Sequence, residues 1–246
     1  MRNIKLIIEY DGTNYSGWQI QENGPSIQGS LEKTLLAITG EKIRINGAGR
    51  TDKGVHAIGQ VASFTTVSSI PPERFLYALN GLLPRDIVIK DSREVPLDFH
   101  ARHSAIAKRY SYLINNSKIP SALLRNYAYH VKYCERLDID RVEKAAEAFL
   151  GTYDFSAFMA TGSVVSSTVR TIYEISIEKE KDLIRFIYKG SGFLYNMVRI
   201  ITGTLLYSGI GKIDPDDIKD IIMSRDRSRA GLTAPACGLY LEEVYY

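Results

Sequence analysis

From Ile4 to Tyr10 apolar and polar residues alternate with the period of two that marks a strand, and Ser26 is placed to cap a helix over 27–39 that Gly40 ends. Short strand patterns follow at 42–46 and 55–65, on either side of a glycine-rich turn. Pro71 and Pro72 open a second helix through Leu82, with Phe75, Leu76, Leu79 and Leu82 on its apolar side, and 86–95 reads as a further strand. The second half repeats the scheme. Segments 108–115 and 127–132 read as strands, Asp138 caps an amphipathic helix to Leu150, and 171–179 with 183–189 form a hairpin. Residues 193–207 are helical and apolar almost all round. A short helix over 215–223 follows, and 238–244 can close the sheet.

The order βαββαβ, met twice, predicts an α+β protein of two ferredoxin-like subdomains, each with two helices on one face of a mainly antiparallel sheet. The sheets are expected to join and to leave a catalytic cleft between the subdomains, 1–100 carrying the glycine-rich turn and 101–246 the rest. No low-complexity linker marks the boundary, which falls within 97–105.

Composition narrows the class. A chain of 246 residues with 45% hydrophobic and 24% charged residues is an ordinary globular protein, not a disordered one. A formal net charge of +3 is mildly basic, so a nucleic-acid site has to be a patch. The two cysteines, Cys134 and Cys237, have no CxxC spacing and support neither a disulfide framework nor a zinc ribbon, which makes a reducing cytoplasm the expected location. The apolar run at the start is too short for a signal peptide or a membrane span. His100 and His103 lack a nearby third ligand, so no metal site is expected, and no GxGxxG or P-loop announces a cofactor.

The chemistry centres on Gly47-Ala48-Gly49-Arg50-Thr51-Asp52-Lys53-Gly54-Val55-His56, where Asp52 is the only acid between Glu41 and Glu73. A lone carboxylate among cations stays ionised and can act as nucleophile or base, although Thr-Asp-Lys-Gly is also simply a sequence that turns. Acid-free windows run over 99–134, 183–213 and 228–241. The first interleaves Arg102, Lys108, Arg109, Lys118, Arg125 and Lys132 with Tyr110, Tyr112, Tyr127, Tyr129 and Tyr133. Cations neutralise phosphates and rings stack on bases, a mixture suited to RNA. Arg199, within an apolar helix, must either reach solvent or meet an acid, and Asp52 is a candidate partner.

Six ordered motifs carry a resemblance over essentially the full length. They are 10–19 (YDGTNYSGWQ), 49–57 (GRTDKGVHA), 99–102 (FHAR), 109–112 (RYSY), 193–199 (FLYNMVR) and 234–241 (APACGLYL). Together they resemble the TruA-type tRNA pseudouridine synthases. The resemblance implies that Asp52 is the catalytic aspartate, Arg199 its ion-pair partner, Tyr110 the ring over the target uracil, and Leu239 part of the apolar wall. Arg50 is implied to help displace or replace a flipped base, with a phosphate contact as its alternative role. The implied substrate is uridine at positions 38, 39 and 40 in the anticodon stem-loop of tRNA, with no cofactor and with a homodimer holding one tRNA. Arg102, Lys108 and Arg109 are assigned to the tRNA-facing surface.

Two other classes use parts of the same pattern. A glycosidase or nucleosidase would need a second carboxyl group to manage water, for which Asp11 is the nearest candidate; Asp11-Gly12 reads better as a turn. A non-catalytic RNA-binding protein would fit ferredoxin-like units, but Val61-Ala62-Ser63-Phe64 offers one ring rather than a stacked pair.

Overall fold

The computed structural model describes residues 1–132, 137–162 and 165–246, so Tyr133 and Cys134 lie outside the described residues. The chain forms two compact units: 1–106 with 240–246, and 107–239. The first unit runs through Ile106, and the segment from Tyr240 groups with it.

The first unit contains β1 (Arg2–Tyr10), α1 (Ile27–Thr39), β2 (Asn46–Gly47), β3 (His56–Thr66), α2 (Phe75–Asn80), β4 (Ile87–Val95) and most of β10 (Leu239–Tyr245). β1 lies between β3 and β4, antiparallel to both, with Leu6 opposite Ala62 on one side and Ser92 on the other. With β2 antiparallel to β3, this is the expected ferredoxin-like arrangement. Ile4, Leu6, Ile8 and Tyr10 supply the core face of β1. Across that core Phe64 of β3 meets the edge of Phe75 of α2, with ring centroids 5.4 Å apart.

Helix α1 follows its sequence signals. Ser26 accepts a hydrogen bond from the Gly29 N–H, and Gly40 takes the left-handed φ of 73° that ends the helix. Two expectations need correcting. The strand over 42–46 is reduced to Asn46–Gly47, because the backbone of Ile45 is taken by α1: Ile45 N–H donates to Glu32 Oε1 and Ile45 C=O accepts from Gln28 Nε2. The second helix begins as a 3₁₀ turn at Pro72–Arg74 and stops at Asn80, leaving Leu82 exposed.

The far edge of β3 serves two partners. Asn46 and Gly47 pair antiparallel with Ser63 and Ala62, while Tyr240 and Leu241 pair parallel with His56 and Ala57.

The second unit contains β5 (Ala107–Asn115), β6 (Tyr129–His130), α3 (Ile139–Glu147), β7 (Gly151–Asp154), β8 (Val169–Glu180), β9 (Leu183–Gly190), α4 (Met197–Gly209) and α5 (Ile218–Ser224). Its strand order is β5-β9-β8-β7, antiparallel throughout, with β6 added parallel to β5. Asp138 caps α3 by accepting from the Arg141 N–H, as expected. Helix α4 starts at Met197 rather than Phe193, because Asn196 adopts the left-handed conformation, φ 59° and ψ 7°, which no helix continues through. Eleven residues of α4 are buried, among them Ile200, Ile201, Leu205 and Leu206. Among the described residues no helix is long and apolar enough to cross a membrane.

Tyr188 of β9 ties the sheet of the second unit to α4 through a buried hydroxyl pair, with Tyr188 Oη 2.8 Å from Thr202 Oγ1. Thr202 keeps a second bond to the Val198 carbonyl at 2.8 Å. Tyr188→Phe should therefore cost about 1 kcal/mol, read as a fall in Tm of roughly 2–4 °C in thermal unfolding.

Candidate active site

Asp52 lies in the turn that joins β2 to β3. Its carbonyl accepts from the Val55 N–H at 3.1 Å, and Gly54, at φ 78°, supplies the left-handed residue that such a turn requires. Asp52 is half-buried, while Arg50 and Lys53 beside it are exposed. The turn is therefore a carboxylate flanked by two solvated cations.

Residues 10–19 hold this turn from below. The Trp18 N–H donates to the Thr51 carbonyl at 3.0 Å, and Tyr10 Oη lies 2.7 Å from Thr51 Oγ1 in a buried pair. Burial pushes the Tyr10 phenol well above its ordinary value, so it remains a neutral hydroxyl. Gly17, at φ 103°, lies so close that a Cβ would overlap the Thr51 carbonyl oxygen and stand 3.0 Å from the Asp52 carbonyl carbon. A Cβ on Gly12 would overlap the Val55 carbonyl oxygen. The two glycines let one backbone segment lie directly on the other. On the opposite flank Gln60 Nε2 donates to the Gly49 carbonyl at 2.9 Å, and the Trp18 ring covers Gly47.

His56, at the start of β3 and 2% exposed, stacks on Tyr240 with centroids 4.9 Å apart. Its Nδ1 lies 3.1 Å from the Gly12 nitrogen and 3.2 Å from Asp11 Oδ1. That same Asp11 oxygen accepts from Thr13 N–H at 2.9 Å and Thr13 Oγ1–H at 2.6 Å. Asp11 thus organises a turn, which is the reading that leaves a hydrolase without its second carboxyl group.

In the second unit Tyr110 lies on β5 opposite Tyr188, 7% exposed, and meets the edge of Phe193 at 5.2 Å. Arg199 sits in the first turn of α4, one turn before the Thr202 that Tyr188 contacts, so both Tyr110 and Arg199 belong to the face of the sheet that α4 covers. The Arg199 guanidinium donates through Nε to the Ala234 carbonyl at 2.6 Å and through Nη1 to Asn196 Oδ1 at 2.7 Å. The left-handed Asn196 therefore both ends the preceding loop and holds the arginine. Gly203 makes this possible by letting the Leu232 carbonyl approach α4 at a distance that any Cβ would block.

Residues 6–104 and 145–246 match the model of a family described as tRNA pseudouridine synthase. Over 246 residues the chain is 59% identical to the tRNA pseudouridine synthase A of Acetivibrio thermocellus and 51% identical to that of Thermoanaerobacter sp.. Over 247 residues it is 54% identical to the protein of the same name from Ruminiclostridium cellulolyticum. In each case all of this chain and all of the relative are covered. This chain belongs to the tRNA pseudouridine synthase family.

In this tRNA pseudouridine synthase the remaining sequence candidates fall in different places. Leu239 is buried at the head of β10. Strand alternation puts Lys108 on the same face of β5 as Tyr110 and Arg109 on the opposite one, so the pair assigned together by sequence is divided. Arg102 is exposed in the segment after β4. Burial pushes the Cys237 thiol up, which keeps it protonated and makes it a poor nucleophile. Among the described residues no group of three or more His, Cys, Asp or Glu side chains is placed to hold a metal ion.

Sequence reading missed the supporting residues. Tyr10, Gly12, Gly17 and Thr51 were visible as motif members but not as the frame of the Asp52 turn. Asn196 was detectable as one of the few residue types that tolerate the left-handed conformation, placed just before the apolar run of α4.

Proposed function

We propose that this chain converts uridine to pseudouridine at positions 38, 39 and 40 in the anticodon stem-loop of tRNA, with Asp52 as the catalytic carboxylate. The full-length identity of 59% to a tRNA pseudouridine synthase A carries the reading. The framing of the Asp52 turn by residues 10–19 supports the choice of carboxylate, because a reacting group has to be held in position before substrate arrives.

The reaction breaks the N1 to C1′ bond, turns the uracil and joins C5 to C1′. The proton on C5 is lost and N1 gains one, so there is no net redox change and no water is consumed. The ribose passes through an electron-poor state, which an ionised carboxylate close to the sugar stabilises. Attack at C1′ and removal of the C2′ proton are two routes that use the same Asp52 oxygen atoms. A stem uridine is out of reach until it is flipped, at a cost of a few kcal/mol, and Arg50, exposed two residues before Asp52, is the side chain assigned to fill the gap. Tyr110, Arg199 and Leu239 keep the roles that the sequence resemblance implies. Arg102, Lys108 and Arg109 keep their assignment to tRNA phosphates, Lys108 and Arg109 from opposite faces of β5. The same reading makes the enzyme a cytoplasmic homodimer.

The test is tritium release from tRNA carrying 5-³H uridine, with the modified positions mapped afterwards. Release accompanied by pseudouridine at 38–40 and no free uracil is the expected result. Free uracil in the supernatant would replace the isomerase with a hydrolase; binding without release would leave an RNA-binding protein.

A further inference from the structure

The first unit packs α2 against one face of its sheet, where Phe64 meets Phe75. The opposite face is crossed by residues 96–104, which are tied down at several points. Asn3 Nδ2 donates to the Pro96 and Phe99 carbonyls at 2.9 and 2.8 Å, the Ala101 N–H donates to Ser63 Oγ at 3.1 Å, and Tyr246 Oη–H donates to the Ala101 carbonyl at 2.7 Å. Lys5 is buried beneath, with its ammonium 4.3 Å from the Tyr246 ring centre. This rigid support presents Arg102 and His103 to solvent.

Ser63 also pairs with Asn46, so the outward residues of the neighbouring edge emerge beside the same segment. Ile43 and Ile45 point into the core, and Lys42, Arg44 and Asn46 point out. The nearby acids are partly engaged. Glu41 accepts from Thr66 Oγ1–H and the Val67 N–H, and Asp91 lies 3.5 Å from Arg93; Glu94 and Asp98 are exposed acids at the head of the segment. Burial, together with the charges of His103 and Arg102, pushes the His100 imidazole down, as expected beside a positive surface. Ser63 is seven residues along β3 from His56, about 23 Å at strand rise, so this surface is separate from the Asp52 turn.

Resting on the tRNA reading above, we propose that Arg44 and Arg102, with Lys42 and His103 at their margin, form a second contact for the tRNA sugar-phosphate backbone away from the reacting uridine. Planar guanidinium groups on a fixed backbone match phosphate oxygens in a way that mobile lysines do not. RNA helices are read chiefly through their backbone, so such a contact sets the register of the substrate without reading its sequence.

The experiment compares wild type, Arg44→Ala with Arg102→Ala, and a charge-matched control, Lys33→Ala with Lys179→Ala. Affinity for unmodified tRNA is measured from low to moderate salt, and KM and kcat are measured alongside. Each lost phosphate contact should lower the slope of log affinity against log salt by about 0.7–0.9, so the Arg44/Arg102 pair should lower it by about 1.4–1.8 and raise KM more than it lowers kcat. The control should keep the wild-type slope. An Arg44/Arg102 variant with the slope and KM of the control would overturn the proposal. A wild type that binds tRNA but forms no pseudouridine would overturn the catalytic reading instead, and the salt slopes would still decide this one.

Discussion

Asp52→Asn is expected to lower kcat/KM for tRNA by roughly 10,000-fold or more, since in the proposed reaction this carboxylate is the one group that both chemical routes require. The substitution is nearly isosteric, and the turn around it is fixed by other groups: the backbone bond from Val55 to the Asp52 carbonyl, the Trp18 N–H on Thr51, and the Tyr10 hydroxyl. Thermal unfolding should therefore stay close to wild type, and tRNA should still bind. Single-turnover pseudouridine formation, with Tm and tRNA affinity measured on the same preparation, checks all three. Activity within tenfold of wild type would remove Asp52 from the mechanism.

Gly17→Ala should act on both stability and rate without touching any reacting atom. The new methyl group meets the Thr51 carbonyl, and the residue has to hold φ at 103°, where an L side chain is strained. Overpacking and strain together should cost about 3 kcal/mol, seen as a fall in Tm of roughly 6–12 °C. Relief of the overlap moves the backbone of residues 51–53, and a misplacement of about 1 Å is enough to cost on the order of 100-fold in kcat. The informative comparison is with Tyr188→Phe, which loosens the second unit and leaves the turn alone. If Gly17→Ala lost stability but kept full kcat below its unfolding temperature, the buttress would be structural only.

Local signals were the legible part of the sequence. Ser26 and Gly40 delimited α1, Asp138 opened α3, and the hairpin pattern of 171–179 with 183–189 marked β8 and β9, because caps and short-range pairing are settled by neighbours in the chain. What was lost depended on distant partners. The strand pattern at 42–46 was real, but side chains of α1 claimed the backbone of Ile45, and nothing near residue 45 announces that. Helix α4 was extended four residues too far because Phe193-Leu194-Tyr195 has a helical pattern, whereas the left-handed Asn196 that interrupts it is held by Arg199. The short strand β7 has only four residues and was passed over.

The candidate site divided in the same way. The lone carboxylate pointed to Asp52 by its chemistry, while Tyr110 and Arg199 took their roles from the resemblance carried by the motifs. The separation of Lys108 from Arg109 was readable from strand alternation alone and needed only the register of Tyr110. By contrast, the contact between Gly17 and Thr51 joins residues far apart in sequence, and a glycine in a polar segment looks like any turn.

The pairing of Tyr240 with His56 also sets an order of events during synthesis. The strand that follows the Asp52 turn acquires its parallel neighbour, and His56 its stacking ring, only after the whole of the second unit has been made. A growing chain on the ribosome therefore carries the Asp52 turn on an unfinished sheet while it is surrounded by tRNA. Competence to modify that tRNA is therefore expected late in translation, and a chain ending before Tyr240 is expected to release no tritium from 5-³H uridine in tRNA.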